Sequence, residues 1–235
     1  MYTDIHSHVI WGVDDGAETR EETFRMLKEA AADGIDTIIC TPHVTPGVYK
    51  FPEKTFREHF REAEEYILRE KLSLKLLQGA EILYTDAAPR LIREGKAASL
   101  AGSSYVLIEF SPTHTKEYIF NAVQKTAGTG MIPVIAHMER YPAIRKTEEA
   151  RELKRRFGAM IQINARSLTR KQPFLRRKLF DSLFTEGICD FIATDSHAME
   201  GRGTCMSAGM EAVEAKYGEK AAERLAETAR KIISR

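Results

Sequence analysis

Two histidines one residue apart open the chain in Thr3-Asp-Ile-His-Ser-His, and a turn with adjacent aspartates, Val13-Asp-Asp-Gly-Ala, follows. Side chains on an extended strand alternate faces, so His6 and His8 project to one side and can hold a single ion between them. Alone, such a pair is more often a polar strand end than a metal site. Ligand-type residues recur, however, in Thr41-Pro-His43, Gly79-Ala-Glu81, Ile108-Glu109-Phe110, Ala136-His137-Met-Glu-Arg140 and Thr194-Asp195-Ser-His197. If Asp15, Glu81, Glu109 and Asp195 converge, their like charges oppose joint ionisation in one pocket. Three divalent cations would reverse that balance and leave a positive site that attracts an anion. Histidines mixed with carboxylates, without cysteine, suit manganese, iron or zinc; calcium and magnesium favour all-oxygen shells.

A positive pocket beside arginines points to phosphate ester hydrolysis, in which the cations activate water and guanidinium forks neutralise phosphoryl oxygens. Arg140, three residues beyond His137, is the first candidate clamp, and Arg202, five beyond His197, is the second. Either could instead serve a surface ion pair. Taken singly, His43, Glu109 and His137 would read as hydrogen-bonded strand-end groups; only their company reverses that. Asp14 is expected as a turn residue or supporting neighbour of Asp15. His59, within Arg57-Glu-His-Phe-Arg-Glu, is expected on a solvated helical face, and His114 in a turn at the mouth. Trp11, Tyr49 and Phe51 fit either an aromatic rim or ordinary packing.

The elements that must position these groups alternate. Apolar runs at 3–6, 36–40, 74–79, 105–110, 132–136, 160–163 and 191–193 make seven strand candidates. Segments with helical periodicity lie between them, at 18–32, 52–71, 87–95, 116–127, 148–157 and 172–185. Thr19 with Glu22 predicts a capping box, and Gly34 and Gly187 predict left-handed helix ends. The tail from Gly203 predicts two closing helices broken at Gly218. Such alternation implies parallel pairing through right-handed crossovers. Every candidate ligand falls at or just after the C-terminal end of a strand, where a parallel barrel gathers them and an open sheet would spread them. An α/β barrel of about seven units, with its site at the C-terminal mouth, is the expected fold.

Composition sets the remaining bounds. The chain of 235 residues is expected to form a single domain over 1–235, and its formal net charge of +1 gives no field that would collect nucleic acid or an anionic membrane. No apolar run reaches membrane-spanning length, and the start lacks the pattern of a secretory signal, so the cytoplasm is the expected location. Cys40, Cys189 and Cys205 lack zinc-knuckle spacing and are expected as reduced thiols.

Asp4-Ile-His-Ser-His, Val13-Asp-Asp-Gly-Ala, Thr41-Pro-His, Leu107-Ile-Glu-Phe, Pro133-Val-Ile-Ala-His, Glu139-Arg-Tyr and Thr194-Asp-Ser-His resemble the PHP (polymerase and histidinol phosphatase) superfamily. More narrowly, they resemble the bacterial manganese-dependent tyrosine-protein phosphatases of capsule and exopolysaccharide systems. The likeness runs from residue 2 to about 202. It implies a distorted seven-stranded barrel and three divalent ions, manganese first, with iron or zinc as alternatives. By this resemblance His6, His8, Glu81 and Asp195 bind the first ion. Glu81 bridges to the second, which Glu109 and His137 complete, and Asp15, His43 and His197 hold the third. Arg140 matches the family's phosphate-binding arginine and Arg202 a second one. The implied substrate is phosphotyrosyl protein, notably the tail of a bacterial tyrosine autokinase that controls polysaccharide synthesis. The chain departs from the family pattern at Val44, Met138, Ser196, Ala198 and Gly203-Thr204, and lacks an Asn-Pro near its C-terminus. These positions alter the rim and remove no ligand. A small-molecule phosphoesterase, for a substrate such as histidinol phosphate, and a catalytically silent regulatory module are the alternatives.

Overall fold

Apolar residues with a period of two build the sheet, and the same period carries through to the polar residues at the mouth. The computed structural model describes residues 1–198 and 201–234. In chain order the elements are β1 (Tyr2–Ser7), α1 (Arg20–Ala32), β2 (Ile35–Cys40), β3 (His43–Val44), α2 (Glu53–Glu70), β4 (Lys75–Gln78), β5 (Glu81–Leu83), α3 (Ala88–Arg93), β6 (Tyr105–Glu109), α4 (Lys116–Ala127), β7 (Ile132–Ile135), α5 (Thr147–Phe157), β8 (Met160–Asn164), α6 (Ala165–Thr169), α7 (Phe174–Thr185), β9 (Phe191–Ala193), α8 (Met206–Tyr217) and α9 (Glu219–Ile233). Thr19 Oγ1 accepts from Glu22 N at 3.2 Å, capping α1. Gly34 and Gly187 take φ of 82° and 67° at helix ends.

The strands pair in parallel in the orders β1-β2-β4 and β3-β5-β6-β7-β8-β9. Two of the seven expected strands, 36–40 and 74–79, resume beyond their expected ends after a break, which is why β3 and β5 appear as extra short pieces. Pro42 interrupts the first, since it has no N–H to give the ladder. Its carbonyl still accepts from Glu81 N at 3.1 Å, and Cys40 O accepts from Gly79 N at 2.9 Å, so the two broken strands stay in register. A short 3-10 turn (Leu100–Gly102) packs against β4 and β6. The result is a distorted (β/α)7 barrel.

One strand face carries Ile5, Ile39, Leu107, Val134, Phe191 and Ala193, an apolar cluster closed by Leu100 and by Ala229 and Ile232 of α9. The other face, with Ile38, Val106, Ile108, Ile135 and Ile192, meets the surrounding helices. Two residues beyond Leu107 and Ala193 stand Glu109 and Asp195. The stripe that fills the barrel therefore ends in the carboxylates at its mouth.

Closure joins the first strand to the last. Ser7 bridges Ser196 in parallel, His8 N donates to Ser196 O at 2.8 Å, and Asp195 N donates to His6 O at 2.9 Å. Below them Asp4 accepts from Thr194 N at 3.0 Å and from Thr194 Oγ1 at 2.5 Å. Burial pushes the Asp4 carboxyl up to about 6, partly offset by those donors. A register shift between Asp4 and Ser7 puts one extra residue on β1 relative to β2, a bulge of the kind that re-aims side chains beside active sites. Asp4→Ala strands two buried donors and is expected to lower stability by at least about 2 kcal/mol in urea unfolding; an unchanged midpoint would show that closure does not depend on Asp4.

Candidate metal centre

The candidate donors reach the mouth at or beyond the ends of several strands, and an outer partner orients four of the histidine rings. His8 Nδ1 lies 2.7 Å from Asp14 Oδ2, His6 Nδ1 lies 3.2 Å from Gln162 Oε1, and His197 Nδ1 lies 3.0 Å from the Asp195 carbonyl. His137 Nδ1 lies 3.3 Å from the Tyr141 hydroxyl. With Nδ1 so engaged, Nε2 of each ring is the atom left for the pocket, the arrangement by which an outer partner sets the tautomer of a ligating histidine. His43 differs: its Nδ1 lies 3.1 Å from Glu81 Oε2 and its Nε2 3.2 Å from Asp15 Oδ1, so both nitrogens face carboxylates.

Four donor atoms meet most closely. His6 Nε2 and His8 Nε2 are 3.1 Å apart, and they lie 3.2 and 3.3 Å from Glu81 Oε2. Asp195 Oδ1 is 3.5 and 3.7 Å from the same two nitrogens. A cation held tetrahedrally at about 2.1 Å sets its donors about 3.4 Å apart, and the spacings among His6, His8 and Glu81 match such a coordination edge. Glu81 Oε2 and Asp195 Oδ1 are also buried without a hydrogen-bond partner among the described residues. Buried carboxylate oxygens rarely stay so, and an ion between them would satisfy both. The residues present fit a divalent cation.

The remaining donors extend the cluster in two directions. His137 Nε2 is 2.9 Å from Glu81 Oε1 and 3.4 Å from Glu109 Oε1, while Asp15 Oδ1 is 3.4 Å from His197 Nε2. Donor atoms within 4.8 Å of one another form three sets: His6, His8 and Glu81; His43, Glu81 and Glu109; and His8, Asp15, His43 and His197. His8 and His43 each belong to two sets, so the division between ions is less sharp in the geometry than in the expected assignment.

The charge balance follows from burial. Burial opposes a proton on His8, but its hydrogen bond to Asp14 and the close carboxylate of Glu81 outweigh that and push its pKa up to about 10. Glu109 and Glu81 do the same for His137, again to about 10 against burial. Burial and the charge on His8 together drive His197 down to about 3. Glu81 and Asp195 are held well below the usual carboxylate range by charged neighbours, His6 foremost, despite burial. The pocket thus recruits protons onto histidines to balance its carboxylates, and a cation entering it would displace them.

Arg140 and Arg202 flank this cluster. Arg140 Nη2 reaches Asp195 Oδ2 at 2.5 Å, and Arg202 Nη2 lies 2.9 Å from His197 Nε2 and 3.6 Å from Asp195 Oδ1. Their side chains are 43% and 41% exposed and that of Asp15 is 62% exposed, so the mouth opens to solvent. The Arg202 loop is anchored by Arg166, which donates to Gly203 O at 2.5 Å, and by Thr204, which donates to Asp33 at 2.7 Å.

The family model described as "Capsular polysaccharide synthesis, CpsB/CapC" matches residues 2–234. The chain belongs to the CpsB/CapC family. Among its relatives, the tyrosine-protein phosphatase CpsB of Streptococcus pneumoniae is 32% identical over 98% of this chain and 97% of its own length. The tyrosine-protein phosphatase YwqE of Bacillus subtilis is 29% identical over 98% of this chain and 91% of its own. A solved structure from the work on YwqE and CpsB, described as unique metal-dependent tyrosine phosphatases, superposes with a TM-score of 0.88 at 29% identity, covering 98% of this chain and 94% of that one. A histidinol phosphate phosphatase from Lactococcus lactis shares the fold, with a TM-score of 0.59 at 16% identity over 94% of this chain and 93% of that one.

In this CpsB/CapC chain the sequence reading had not anticipated the supporting layer of Gln162, Asn164 and Tyr141. Gln162 Oε1 also accepts from His137 N at 2.6 Å, and Asn164 Nδ2 donates to Asp195 Oδ2 at 2.8 Å. Their one sequence signal is two amides on alternate positions of the apolar run Met160-Ile-Gln-Ile-Asn. His59 corrects its expectation: it is half-buried, stacked on Trp11 at 3.9 Å with Nδ1 2.8 Å from Trp11 O. That contact makes Trp11 a packing residue, and Phe51 likewise packs on the core, whereas Tyr49 is exposed. His114 lies in a turn with its N–H on Ser111 O, its ring against Tyr118.

Gly16 lets the Asp14-Asp15 turn fold onto His8. A Cβ there would run into the His8 carbonyl and lie 2.9 Å from Asp14 Oδ1. Manganese added to chelator-treated protein is expected to stabilise it, by about 2.7 kcal/mol at a hundredfold excess over Kd. Gly16→Ala should lose most of that gain in thermal melts; an unchanged gain would show that this turn does not hold the donors.

Proposed function

We propose that this chain is a metal-dependent phosphatase of protein phosphotyrosine, with residues 1–235 acting as one domain. The observation that carries the reading is the set of His6 Nε2, His8 Nε2 and Glu81 Oε2 at ion-coordination spacing, with Asp195 Oδ1 beside the two nitrogens, beneath two solvent-facing arginines. The proposed assignment gives His6, His8, Glu81 and Asp195 to a first ion, Glu81, Glu109 and His137 to a second, and Asp15, His43 and His197 to a third, with manganese as the metal. Bound there, divalent cations would supply Lewis-acid polarisation of phosphoryl oxygens and an activated water at neutral pH.

The chain's own residues do the rest. Arg140 and Arg202 stand on either side of Asp195, and their planar forks suit two oxygens of one phosphoryl group, holding it in line for attack. Asp14, Gln162 and Tyr141 keep His8, His6 and His137 from turning, so no reorganisation is needed when charge develops. A phenolate leaves at a pKa near 10, so the site needs less help from a proton donor than alkoxide departure would. The open mouth favours a side chain presented on a protein over an enclosed metabolite. The proposed partner is the tail of a bacterial tyrosine autokinase in the cytoplasm. Free Cys40, Cys189 and Cys205 suit that compartment, and no helix among the described residues is long and apolar enough to cross a membrane.

Hydrolysis of a phosphotyrosyl peptide, a phosphoseryl peptide and histidinol phosphate, with chelator and with added manganese, tests the reading. Turnover is expected on the phosphotyrosyl peptide, only with metal; silence on all three in the loaded protein would sink it. His6→Ala is expected to lose metal by elemental analysis. Arg140→Ala should retain metal while kcat/KM falls about 10²- to 10³-fold; normal turnover would remove Arg140 from the clamp.

A further inference from the structure

The turn that delivers Arg140 also begins a second feature, a groove of about 750 Å³ whose lining includes Glu139 and Tyr141. One wall is the loop from Pro142 into the start of α5, and the other is the first two turns of α7. The charge on these walls is one-sided. Arg145, Lys146, Arg176 and Lys178 line it and are exposed. Among the described residues Lys146, Arg176 and Lys178 have no ion-pair partner, and the Arg145 side chain donates to the Pro142 carbonyl rather than to an acid.

The two acids in the same lining are engaged. Glu148 pairs with Arg151, and Glu139 is buried, its Oε1 accepting from Ser167 Oγ at 2.7 Å and Asn164 N at 3.1 Å while Oε2 has no hydrogen-bond partner among the described residues. The run Arg170-Lys-Gln-Pro-Phe-Leu-Arg-Arg-Lys178, which leads into and forms part of one wall, contains no acidic residue. It also carries an apolar element, since Leu175 in the wall is 78% exposed and Phe174 beside it 68%. The walls are preformed: Glu149 accepts from both Arg145 N and Lys146 N, at 2.8 and 3.0 Å, and fixes the loop.

We propose that this groove docks an acidic segment of the substrate protein, adjacent in sequence to the phosphotyrosine that enters the metal centre. The inference rests on the phosphotyrosine reading for its orientation, because the groove's lining includes Glu139 and Tyr141, the chain neighbours of Arg140. Charge complementarity selects the occupant: unpaired cations on a net near-neutral chain make a local field that an acidic peptide neutralises and a basic or neutral one does not. The exposed Leu175 gives such a peptide an apolar contact between its charges.

Fluorescence anisotropy tests this with two labelled peptides carrying a non-hydrolysable phosphotyrosine mimic, one flanked by Asp and Glu and the other by Ser and Gly. The intact protein is expected to bind the acidic peptide at least tenfold more tightly at low salt, with most of that preference gone at 0.5 M salt. The triple variant Lys146→Glu, Arg176→Glu, Lys178→Glu, checked for folding by its melting temperature, should bind both peptides within twofold of each other. An undiminished preference in that variant, or none in the intact protein, overturns the proposal. If the metal-loaded protein hydrolyses p-nitrophenyl phosphate and no phosphotyrosyl peptide, yet the groove-dependent preference persists, the phosphotyrosine reading fails and the docking groove stands.

Discussion

Burying carboxylates at the end of a barrel is the constraint on which the rest of this structure depends. Glu81 is fully buried and Asp195 nearly so, and neither side chain has water to solvate it. Such charges persist in a fold only with compensating charge at close range. Five histidines, two arginines and a layer of amides are arranged around them for that purpose. Gln162 holds the His6 ring and Asn164 the Asp195 carboxylate, His8 and His137 favour their charged forms, and the arginines flank the pocket where it meets solvent. Placing the polar cluster at one end also leaves the remainder of the barrel free for an uninterrupted apolar filling, which is what holds the strands together.

Much of this arrangement was legible in the sequence because it follows the strand period. Apolar runs ending in His, Glu or Asp can be read directly, and the helices between them announce themselves by periodicity and by residues such as Thr19 and Gly34. What escaped reading was geometry that no residue type announces. His137 and Asp195 sit at φ of 29° and 50°, a region that side chains other than glycine seldom occupy. A glycine there would have flagged the turn; a ligand-type residue hides it. The division of two strands into halves was equally hidden, since Pro42 marks a break without saying that pairing resumes beyond it. His59 misled because charged neighbours on a helix suggest solvent, while its partner Trp11 lies 48 residues away.

The arginines link chemistry to specificity. Arg140 belongs to a short turn whose next residue, Tyr141, is buried and holds His137, and whose continuation forms a wall of the basic groove. Metal centre, clamp and groove therefore share one piece of backbone. A change in the groove that moved this turn would be felt at His137, whereas a change confined to the exposed charges would not. Selectivity can thus drift at Lys146 or Arg176 while the packed side of the turn stays constant.

Closure of the barrel through Asp4 and Thr194 also sets an order of events during synthesis. The first strand leaves the ribosome early, carrying His6 and His8, but its neighbour on one side is the last strand, nearly 190 residues later. Until Thr194 emerges, β1 has an open edge and Asp4 has no donors from the far strand. A nascent or truncated chain accordingly holds two imidazoles without their opposing carboxylate, Asp195, and cannot assemble the full donor set. The pocket is complete only once Asp195 and His197 have emerged, so fragments released before them carry no competent centre.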